Sequence, residues 1–475
     1  MEQLSAMDAA FLYIETDTLP QHVLGIMLLD AEGSQGRFTQ ERFREITEQR
    51  LHLMPAFTRR LAQVPLNLDH PYWVPQTDVD LDEHIGVLPC PAPGDLRALG
   101  DLVGELGSVP LRRDRPLWQI WLVEGVEGGQ VALVAKLHHS TLYGAAGADM
   151  MAQLLDLEPE PRAVEPPADE PAGEVMPSTR SLLGRAVLNG ARRPVKGTRH
   201  LLGAARRTAS VGSHVARAAV SRSPVAVPFS APRTPLNGRL TARRQAAFTT
   251  VDFAEVQEVK RAFDVKVNDV VLAAVTASLR DYLLTHGGLP SRPMVASVPM
   301  NLGAGAVQGT DRITALMVPL PVQTEDPVEQ LREVAAATQD SKGMTDALGP
   351  ETVGDVAELI PPLLMVGGSR IYDGLGLSRL HPPLQSVVVS NMPGPPIPLY
   401  LAGAQVNAVY PFGPLLPGSG LNVTVLSNMG DLDVGMFGCP DLVPELWYLA
   451  DAFPKAVTDL LDAARSMPQR GTPST

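Results

Sequence analysis

The chain has 475 residues, 45% of them hydrophobic and 19% charged, a balance typical of a folded protein with two or three domains and a sizeable core. Its formal net charge of −13 argues against a protein that binds nucleic acid through its overall field. Only Cys90 and Cys439 are cysteines, which excludes a disulfide framework and a cysteine-based zinc site and suits a reducing cytoplasm.

The N-terminus, "MEQLSAMDAAFLYIETD", is acidic and lacks the basic and apolar regions of a signal peptide. No run of about 18 consecutive apolar residues follows it that would span a membrane as a helix. We therefore expect a cytoplasmic protein.

The first half of the chain, residues 1–157, mixes strand and helix patterns. Strands are predicted over 21–30, 117–126 and 130–139, and helices over 39–53 and 145–157. The last two strands are joined by "EGGQ", which favours a hairpin.

A linker with two kinds of charge is predicted over residues 158–244. Between Asp156 and Glu174 there are seven acidic residues, one basic residue and five prolines, a composition that breaks regular helices. Between Arg180 and Arg244 there are 14 basic residues and no acidic ones, which leaves 25 of the 39 basic residues for the rest of the chain against 52 acidic residues. The protein is thus an acidic body with a basic arm, defined as residues 180–244.

Two interpretations of the basic arm are open. Its small and apolar residues alternate with arginines at roughly helical spacing, as in "RHLLGAARRTASVGSHVARAAV". Such helices can lie on an anionic membrane surface, where each basic residue contributes about 1 kcal/mol. The alternative is a solvated or docked linker whose charge complements the acidic body.

The second half, residues 245–466, again mixes strands and helices, and residues 467–475 are expected to form a flexible tail. Strands are predicted over 384–391, 420–428 and 431–437, and helices over 268–286, 325–341 and 444–464. Asn268 is the expected N-cap of the first of these helices, and Pro327 falls in the first turn of the second.

The stretch "HHSTLYG", residues 138–144, ends the strand predicted over 130–139. Because side chains alternate along a strand, His139 continues one apolar row and His138 points to the opposite face. A buried histidine at such a position stays neutral near pH 7 and can accept a proton. The alternative is that the two histidines only pack and form hydrogen bonds and have no catalytic role.

The sequence around the histidine pair limits the kinds of reaction that the pair could catalyse. No G-x-S-x-G nucleophile sequence and no H-E-x-x-H motif accompanies it, and adjacent strand residues do not chelate a metal from one face, so no metal is expected. A single histidine base can still activate a hydroxyl or thiol of a bound substrate for direct group transfer.

The histidine stretch resembles the HHxxxDG motif of the bacterial wax ester synthase/diacylglycerol acyltransferase family. That family is part of the CoA-dependent acyltransferase superfamily, with chloramphenicol acetyltransferase and peptide-synthetase condensation domains. The resemblance covers nearly the whole chain outside residues 158–244, because further blocks occur in family order. These blocks are "LSAMDAAFL" (4–12), "PLW" (116–118), "NDVVL" (268–272), "SVPMNLG" (297–303), "LMVPLP" (316–321), "SNMPGP" (390–395), "LYLAGA" (399–404) and "GLNVTVLS" (420–427).

The resemblance implies an α/β fold of the α+β sandwich type, with two chloramphenicol-acetyltransferase-like halves of mixed sheets joined by the long basic linker. It implies an O-acyltransferase that moves a fatty acyl group from acyl-CoA to a long-chain alcohol or diacylglycerol, giving wax ester or triacylglycerol. Acyl-CoA is then a substrate, and neither a cofactor nor a nucleic-acid partner is expected. Peripheral contact with the inner face of the cell membrane or with lipid droplets, through residues 180–244, is the matching expectation for localisation.

Carried over by position, the resemblance makes His139 the general base and His138 a supporting residue. Ser390 and Asn391 at one strand end, with Thr424 on another strand, are candidates for donating hydrogen bonds to the tetrahedral oxyanion or for lining a tunnel. Strand-end capping and turn formation are the alternative roles for these three residues.

Tyr143 stands where the family motif has aspartate. In the superfamily that aspartate pairs with an arginine and holds the histidine loop, so its partner should have changed or become solvated here. A tyrosine adds bulk and a hydroxyl but no charge at pH 7. Gly144 would allow close approach of the backbone at the turn, or be a simple turn glycine. Asn268 and Asp269 match a family block, and helix capping is a sufficient physical reason for both.

Two further functional hypotheses stay open at this point. Because of Tyr143, the chain is alternatively a weak or inactive homologue that binds acyl-CoA or lipid as a carrier or regulator. A third hypothesis is a superfamily enzyme with another acceptor, such as a polyketide hydroxyl or a group bound to a carrier protein.

Overall fold

Residues 1–142, 152–166, 173–189, 226, 229–304, 311–348 and 362–467 are described by a computed structural model. Within these residues, two six-stranded mixed sheets and one three-stranded sheet are flanked by helices. The predicted α/β fold with two mixed-sheet halves is confirmed.

The first large sheet has the spatial order β12-β13-β2-β7-β6-β5, and only its β5–β6 pair is parallel. The predicted hairpin is present as β6 and β7. A small sheet, in the order β1-β4-β3, lies apart from it. The strands of these two sheets are β1 (Glu2–Gln3), β2 (His22–Asp30), β3 (Arg59–Ala62), β4 (Tyr72–Pro75), β5 (Ile85–Pro89), β6 (Trp118–Val126), β7 (Gln130–His138), β12 (Tyr400–Leu401) and β13 (Ala404–Phe412).

The second large sheet has the order β10-β9-β11-β14-β15-β8, with parallel pairs at β9–β11 and β11–β14. The strands predicted over 384–391, 420–428 and 431–437 are confirmed as β11, β14 and β15, with small shifts of their ends. The strands of this sheet are β8 (Gln245–Asp252), β9 (Met294–Ala304), β10 (Asp311–Leu320), β11 (Val387–Met392), β14 (Leu421–Asn428) and β15 (Asp431–Gly438).

The helices begin at residues that satisfy their free backbone N–H groups. Ser5, Thr39 and Asp95 each precede a helix, and their side chains accept from the first turn at 2.8 to 3.1 Å. The helices are α1 (Ala6–Ile14), α2 (Gln40–Arg50), α3 (Leu96–Ser108), α4 (Phe253–Phe263), α5 (Val267–Thr285), α6 (Pro327–Leu348), α7 (Pro362–Gly374) and α8 (Leu446–Ser466). Of the helix predicted over 145–157, residues 152–154 are helical, and 143–151 lie outside the described residues.

The expected N-cap at Asn268 is wrong, because α5 begins one residue before it. Lys266 is the residue preceding the helix, and its backbone N–H donates to the Asp269 carboxylate at 2.9 Å. Asn268 therefore lies inside the first turn, while Asp269 accepts the hydrogen bond that fixes the start of the helix.

The two large sheets exchange part of the chain. Strands β12 and β13 belong to the second half in sequence, but they pair with each other and with β2 at the edge of the first sheet. Residues 400–412, which the sequence placed within 245–466, thus complete the sheet built mainly from residues 1–157.

The two sheets meet where β13 contacts β14 and β15. Asp433 of β15 is fully buried and accepts from the backbone N–H of Val409 in β13 at 2.8 Å and from the Thr250 hydroxyl at 2.7 Å. A methyl group added to Gly435 would come within 2.0 Å of the Pro411 carbonyl oxygen. The junction is therefore both hydrogen-bonded and sterically tight.

The described ends of the basic arm are packed against the body. In a helix over 179–189, Leu182 and Ala186 are buried against the small sheet, and Asn189 donates to Asp69 at 2.8 Å. At the other end, the buried Arg244 guanidinium donates to the Thr18 carbonyl at 2.9 Å. Among the residues that the structure describes, no helix is long and apolar enough to cross a bilayer.

We predict that Gly435→Ala lowers the free energy of unfolding by about 1 to 3 kcal/mol, since the new methyl group overpacks the junction between the sheets. Urea unfolding followed by circular dichroism measures the change. Gly430→Ala in the same hairpin is the matched control, because a methyl group there meets open space. Equal stability of the two variants would contradict a tight junction.

Candidate active site

His138 is the last residue of β7, and its side chain lies in the interior. The residue is 1% exposed and pairs across the sheet with His22 of β2. Its Nδ1 atom accepts from the Ser140 backbone N–H at 3.1 Å, which leaves Nε2 as the nitrogen that carries a proton. That Nε2 atom faces the Glu15 carboxylate at 3.5 Å. Both ring nitrogens of His138 therefore face protein groups.

Glu15, at the end of α1, is the anion of this interior cluster. Its two oxygens lie 3.4 Å from His22 Nε2 and 3.5 Å from His138 Nε2, and Arg113 donates to the oxygen that faces His138. The Leu111 backbone N–H also donates to His22 Nε2, at 3.2 Å. We refer to Glu15, His22, His138 and Arg113 as the glutamate cluster.

The pKa values in the glutamate cluster follow from burial and charge. Burial alone raises the pKa of the Glu15 carboxyl, but the contacts with His138 and His22 and the charge of Arg113 outweigh it and hold that pKa far below its ordinary value. Burial lowers the pKa of His22 to about 4, and the nearby charge of Lys136 acts in the same direction. At neutral pH the cluster thus holds an ionised glutamate beside a neutral His22.

His139 differs from His138 in both its position and its surroundings. It begins the short 3-10 turn His139–Thr141 after β7, is only partly buried, and stacks on Phe11 of α1 with ring centroids 3.9 Å apart. Burial, and secondarily the neighbouring His138, lowers the pKa of its imidazole to about 3. His139 is consequently neutral at physiological pH, as a proton acceptor must be.

The strand alternation predicted for 130–139 is borne out in the core. Leu133, Ala135 and Leu137 pack on the face of the sheet that contacts α2, whereas Ala132 and Val134 pack on the face toward α3 and the second sheet. Both faces are therefore apolar, and His139 leaves the strand where the regular alternation ends.

A chain of hydrogen bonds connects the His139 backbone to the second sheet. The His139 N–H donates to the Gln21 carbonyl at 2.8 Å, and the buried Gln21 side chain donates to the Leu415 carbonyl at 3.2 Å. In the same loop, the Pro414 carbonyl accepts from the Asn422 amide of β14 at 3.1 Å. The histidine turn and the start of β14 are thus held to one loop, residues 413–420.

The structure brings the three predicted oxyanion residues to neighbouring strands. Ser390 pairs with Thr424 in the parallel β11–β14 ladder, and Asn391 follows at the end of β11. The Thr424 hydroxyl is buried and donates to the Asn422 side chain at 2.8 Å, so its proton is already used. Ser390 and Asn391 are partly exposed.

Two other residues of the family blocks, Trp118 and Asp269, contribute to packing and helix capping. Trp118 of "PLW" is buried, stacks on Phe57 and donates to the Phe57 carbonyl at 3.0 Å. Asp269 caps α5, as described above. Tyr143 and Gly144 lie outside the described residues. Within the described part of the chain, no group of three or more histidine, cysteine, aspartate or glutamate side chains is placed to hold a metal ion.

Glu15, Gln21 and His22 are site residues that sequence reasoning missed. All three lie in "ETDTLPQH", the segment that runs from the end of α1 to the first residue of β2. Strands 21–30 and 130–139 were both predictable, so a pairing of their ends, with His22 opposite His138, was the signal that could have located this segment beside the histidines.

Solved structures with the same architecture define the class. A wax ester synthase/diacylglycerol acyltransferase from Marinobacter aquaeolei VT8 aligns with a TM-score of 0.69 and 26% identity over 98% of this chain and 100% of that one. The first condensation domain of the CDA synthetase aligns with a TM-score of 0.50 and 16% identity over 97% and 96%, which is a likeness of fold. With the site described above, the fold is that of an acyltransferase.

Sequence comparisons then identify the family. The wax ester synthase/diacylglycerol acyltransferase catalytic domain matches residues 4–271, and the C-terminal domain of the same family matches residues 310–460. Two putative diacylglycerol O-acyltransferases of Mycobacterium tuberculosis are 36% identical over 99% of this chain and 92% of theirs, and 34% identical over 92% and 91%. The chain belongs to the wax ester synthase/diacylglycerol acyltransferase family, as the sequence motifs indicated.

We predict that the free energy of unfolding falls as the pH decreases from about 6.5 to 4. In that window the unfolded chain protonates His22, whose ordinary pKa is 6.5, while the folded protein with a pKa of about 4 does not. The contribution of this residue is about 3 kcal/mol, so the pH dependence of urea unfolding should be shallower in His22→Gln. His52→Gln, outside the glutamate cluster, should keep the wild-type slope; equal slopes in all three proteins would refute the prediction.

Proposed function

We propose that the protein transfers a fatty acyl group from acyl-CoA to the hydroxyl of a long-chain alcohol or diacylglycerol, with His139 as general base. The observation that carries this proposal is a neutral, partly buried imidazole at the end of β7, tied through Gln21 to the loop between the two sheets. The family description and the names of the mycobacterial relatives support the substrate class.

The proposed reaction has two proton transfers and no covalent enzyme intermediate. The neutral imidazole of His139 takes the proton of the acceptor hydroxyl as its oxygen attacks the thioester carbonyl, which gives a tetrahedral oxyanion. Collapse of the oxyanion forms the ester and breaks the carbon–sulfur bond. The imidazolium then returns its proton to the departing CoA sulfur, so the enzyme is regenerated.

The low pKa of His139 keeps its imidazole in the neutral form that accepts a proton, and it favours release of that proton later in the turnover. Burial destabilises the imidazolium of His139. The negative charge that develops on the reacting oxygen would stabilise the imidazolium only during the reaction. His138 then acts by position, because its contacts with Ser140 and Glu15 fix the end of β7 from which His139 turns out.

The oxyanion requires donors from the second sheet in this proposal. Ser390 and Asn391 are the favoured candidates, because both are partly exposed at the end of β11. Thr424 is less suited to direct donation, since its hydroxyl would first have to leave Asn422. Its contribution is instead to hold Asn422, which in turn holds the loop 413–420.

Tyr143 favours a second candidate function. In the family motif, a charged aspartate at this position is expected to hold the histidine loop. Tyr143 lacks that charge. A protein with a poorly held loop would bind acyl-CoA or lipid without efficient turnover, as a carrier or regulator. The two functions are separated by activity measurements on variants at positions 139 and 143.

We expect purified protein to form ester from labelled acyl-CoA and a long-chain alcohol or diacylglycerol. His139→Ala should lower kcat by about 10²- to 10⁴-fold, the usual contribution of a general base. Thin-layer chromatography of the labelled products measures both the rate and the choice between wax ester and triacylglycerol.

Two further variants complete this test. His52→Ala, on a 3-10 turn away from the site, controls for loss of a histidine as such and should retain activity. An inactive wild type that gains activity as Tyr143→Asp would support the carrier or regulator function. Full activity of His139→Ala would exclude His139 as the base.

We also propose that the basic arm holds the enzyme at an anionic lipid surface, where its apolar substrates reside. The arm has 14 basic and no acidic residues, and Val187 and Leu188 in its described first helix are 72% and 58% exposed. Because Leu182 and Ala186 of the same helix pack on the body, this helix can present one face to lipid while the other stays docked.

We expect the protein to float with liposomes that contain anionic phospholipid and to remain unbound with neutral ones. Deletion of residues 190–225, which removes eight of the arm's 14 basic residues and leaves its docked ends in place, should weaken flotation strongly. High salt should weaken it, because the attraction is electrostatic. Unchanged flotation of the deletion variant would exclude residues 190–225 from membrane binding.

A further inference from the structure

A cationic cavity of about 430 Å³ lies beside the end of the basic arm. Its walls come from residues 233–239, the segment after α7, and the loops around residues 417 and 441. Three arginines line it, namely Arg233, Arg239 and Arg379. Among the lining residues that the structure describes, Asp441 is the one carboxylate, so the cavity has an excess of positive charge.

The arginine charges of this cavity are not neutralised by the carboxylate. Asp441 accepts from Thr241 and lies 3.4 Å from Arg243, which is not part of the lining. The Arg233 guanidinium donates to backbone carbonyls, including that of His381 at 2.9 Å. A guanidinium group carries five N–H donors whose geometry matches phosphate oxygens, which applies to Arg239 and Arg379 of the lining.

A second cavity, of about 450 Å³ and mainly apolar, adjoins the first. The two share Arg239, Tyr372, Leu384 and the turn at Pro417 and Gly418. The apolar walls of the second cavity include Leu19, Phe229, Leu240, Leu364 and Met365. A single ligand could therefore extend from the arginines into an apolar channel.

The apolar cavity is lined in part by the chain segments that contact His139. Ile14 of α1 lines it, and α1 is the helix whose Phe11 stacks on the His139 ring. Leu19 also lines it, two residues before Gln21, whose carbonyl accepts from the His139 N–H. The apolar cavity thus shares α1 and the segment before β2 with the proposed base, whereas Arg233 and Arg379 line the first cavity alone.

We propose that the two cavities form one site for a ligand that combines a phosphate group with a long apolar chain, the phosphate lying against Arg239 and Arg379. The proposal rests on the proposed function, because an acyl-CoA donor has this chemistry. A phospholipid of the surface on which the enzyme works has it as well. Bound in this orientation, either ligand would place its chain toward His139.

Binding is measured by calorimetry with three soluble probes: octanoyl-CoA, octanoyl-pantetheine, which lacks the phosphates, and dioctanoyl phosphatidate. Wild-type protein should bind octanoyl-CoA or phosphatidate at least tenfold more tightly than octanoyl-pantetheine. The double variant Arg239→Gln/Arg379→Gln should bind that phosphate-bearing probe about 10- to 100-fold more weakly than wild type. Its affinity for octanoyl-pantetheine should be unchanged. Arg261→Gln/Arg332→Gln, with the same charge change on α4 and α6, should bind as wild type does.

The pattern of loss identifies the source of the phosphate. If the double variant loses affinity for octanoyl-CoA alone, the site belongs to the acyl donor. If it loses affinity for phosphatidate alone, the site belongs to a phospholipid. Affinities within twofold of wild type for both phosphorylated probes, or equal loss of octanoyl-pantetheine, would overturn the proposal. Because no turnover is needed, a protein that binds but makes no ester would refute the proposed function while leaving this site intact.

Discussion

The burial of one carboxylate, that of Glu15, determines how the end of the first sheet is built. A buried anion is costly unless charged and polar partners surround it. Its partners come from three places in the chain: His22 from β2, His138 from β7 and Arg113 from the segment before β6. To meet that requirement, α1 must end over the sheet, and His138 must turn inward. His139, next in the chain, then leaves the strand beside Phe11 and is only partly buried.

The same end of the first sheet is tied to the second sheet by few groups. Gln21 is fully buried. Its backbone carbonyl accepts from the His139 N–H, and its side chain donates to the Leu415 carbonyl. A rearrangement of the loop 413–420 would therefore be transmitted to the histidine turn through the Gln21 side chain. Asp433 fixes the sheets at another point through Val409. The position of the histidine in this acyltransferase thus depends on both halves of the chain.

Sequence patterns predicted those parts of the fold whose reasons are local. The hairpin of β6 and β7, the strands β11, β14 and β15, and the start of α6 at Pro327 follow from alternation, turn glycines and proline placement. The start of α5 was misjudged, because Asp269 caps the helix from inside its first turn. The exchange of β12 and β13 was beyond reach, since no local pattern says which sheet a strand joins. Glu15 and His22 were missed for the same reason: their meaning depends on strand pairing across more than 100 residues.

The strand exchange also bears on how the protein is made. On the ribosome, β2, β5, β6 and β7 are complete by residue 138, but β13, which covers the open edge of β2, ends at residue 412. At about 5 to 20 residues per second, the intervening synthesis takes roughly 14 to 55 s. Throughout that interval the nascent chain presents an uncovered apolar edge strand, the kind of surface that pairs with other chains. Completion of the first sheet is therefore a late event in the biogenesis of this enzyme, although most of its strands are synthesised first.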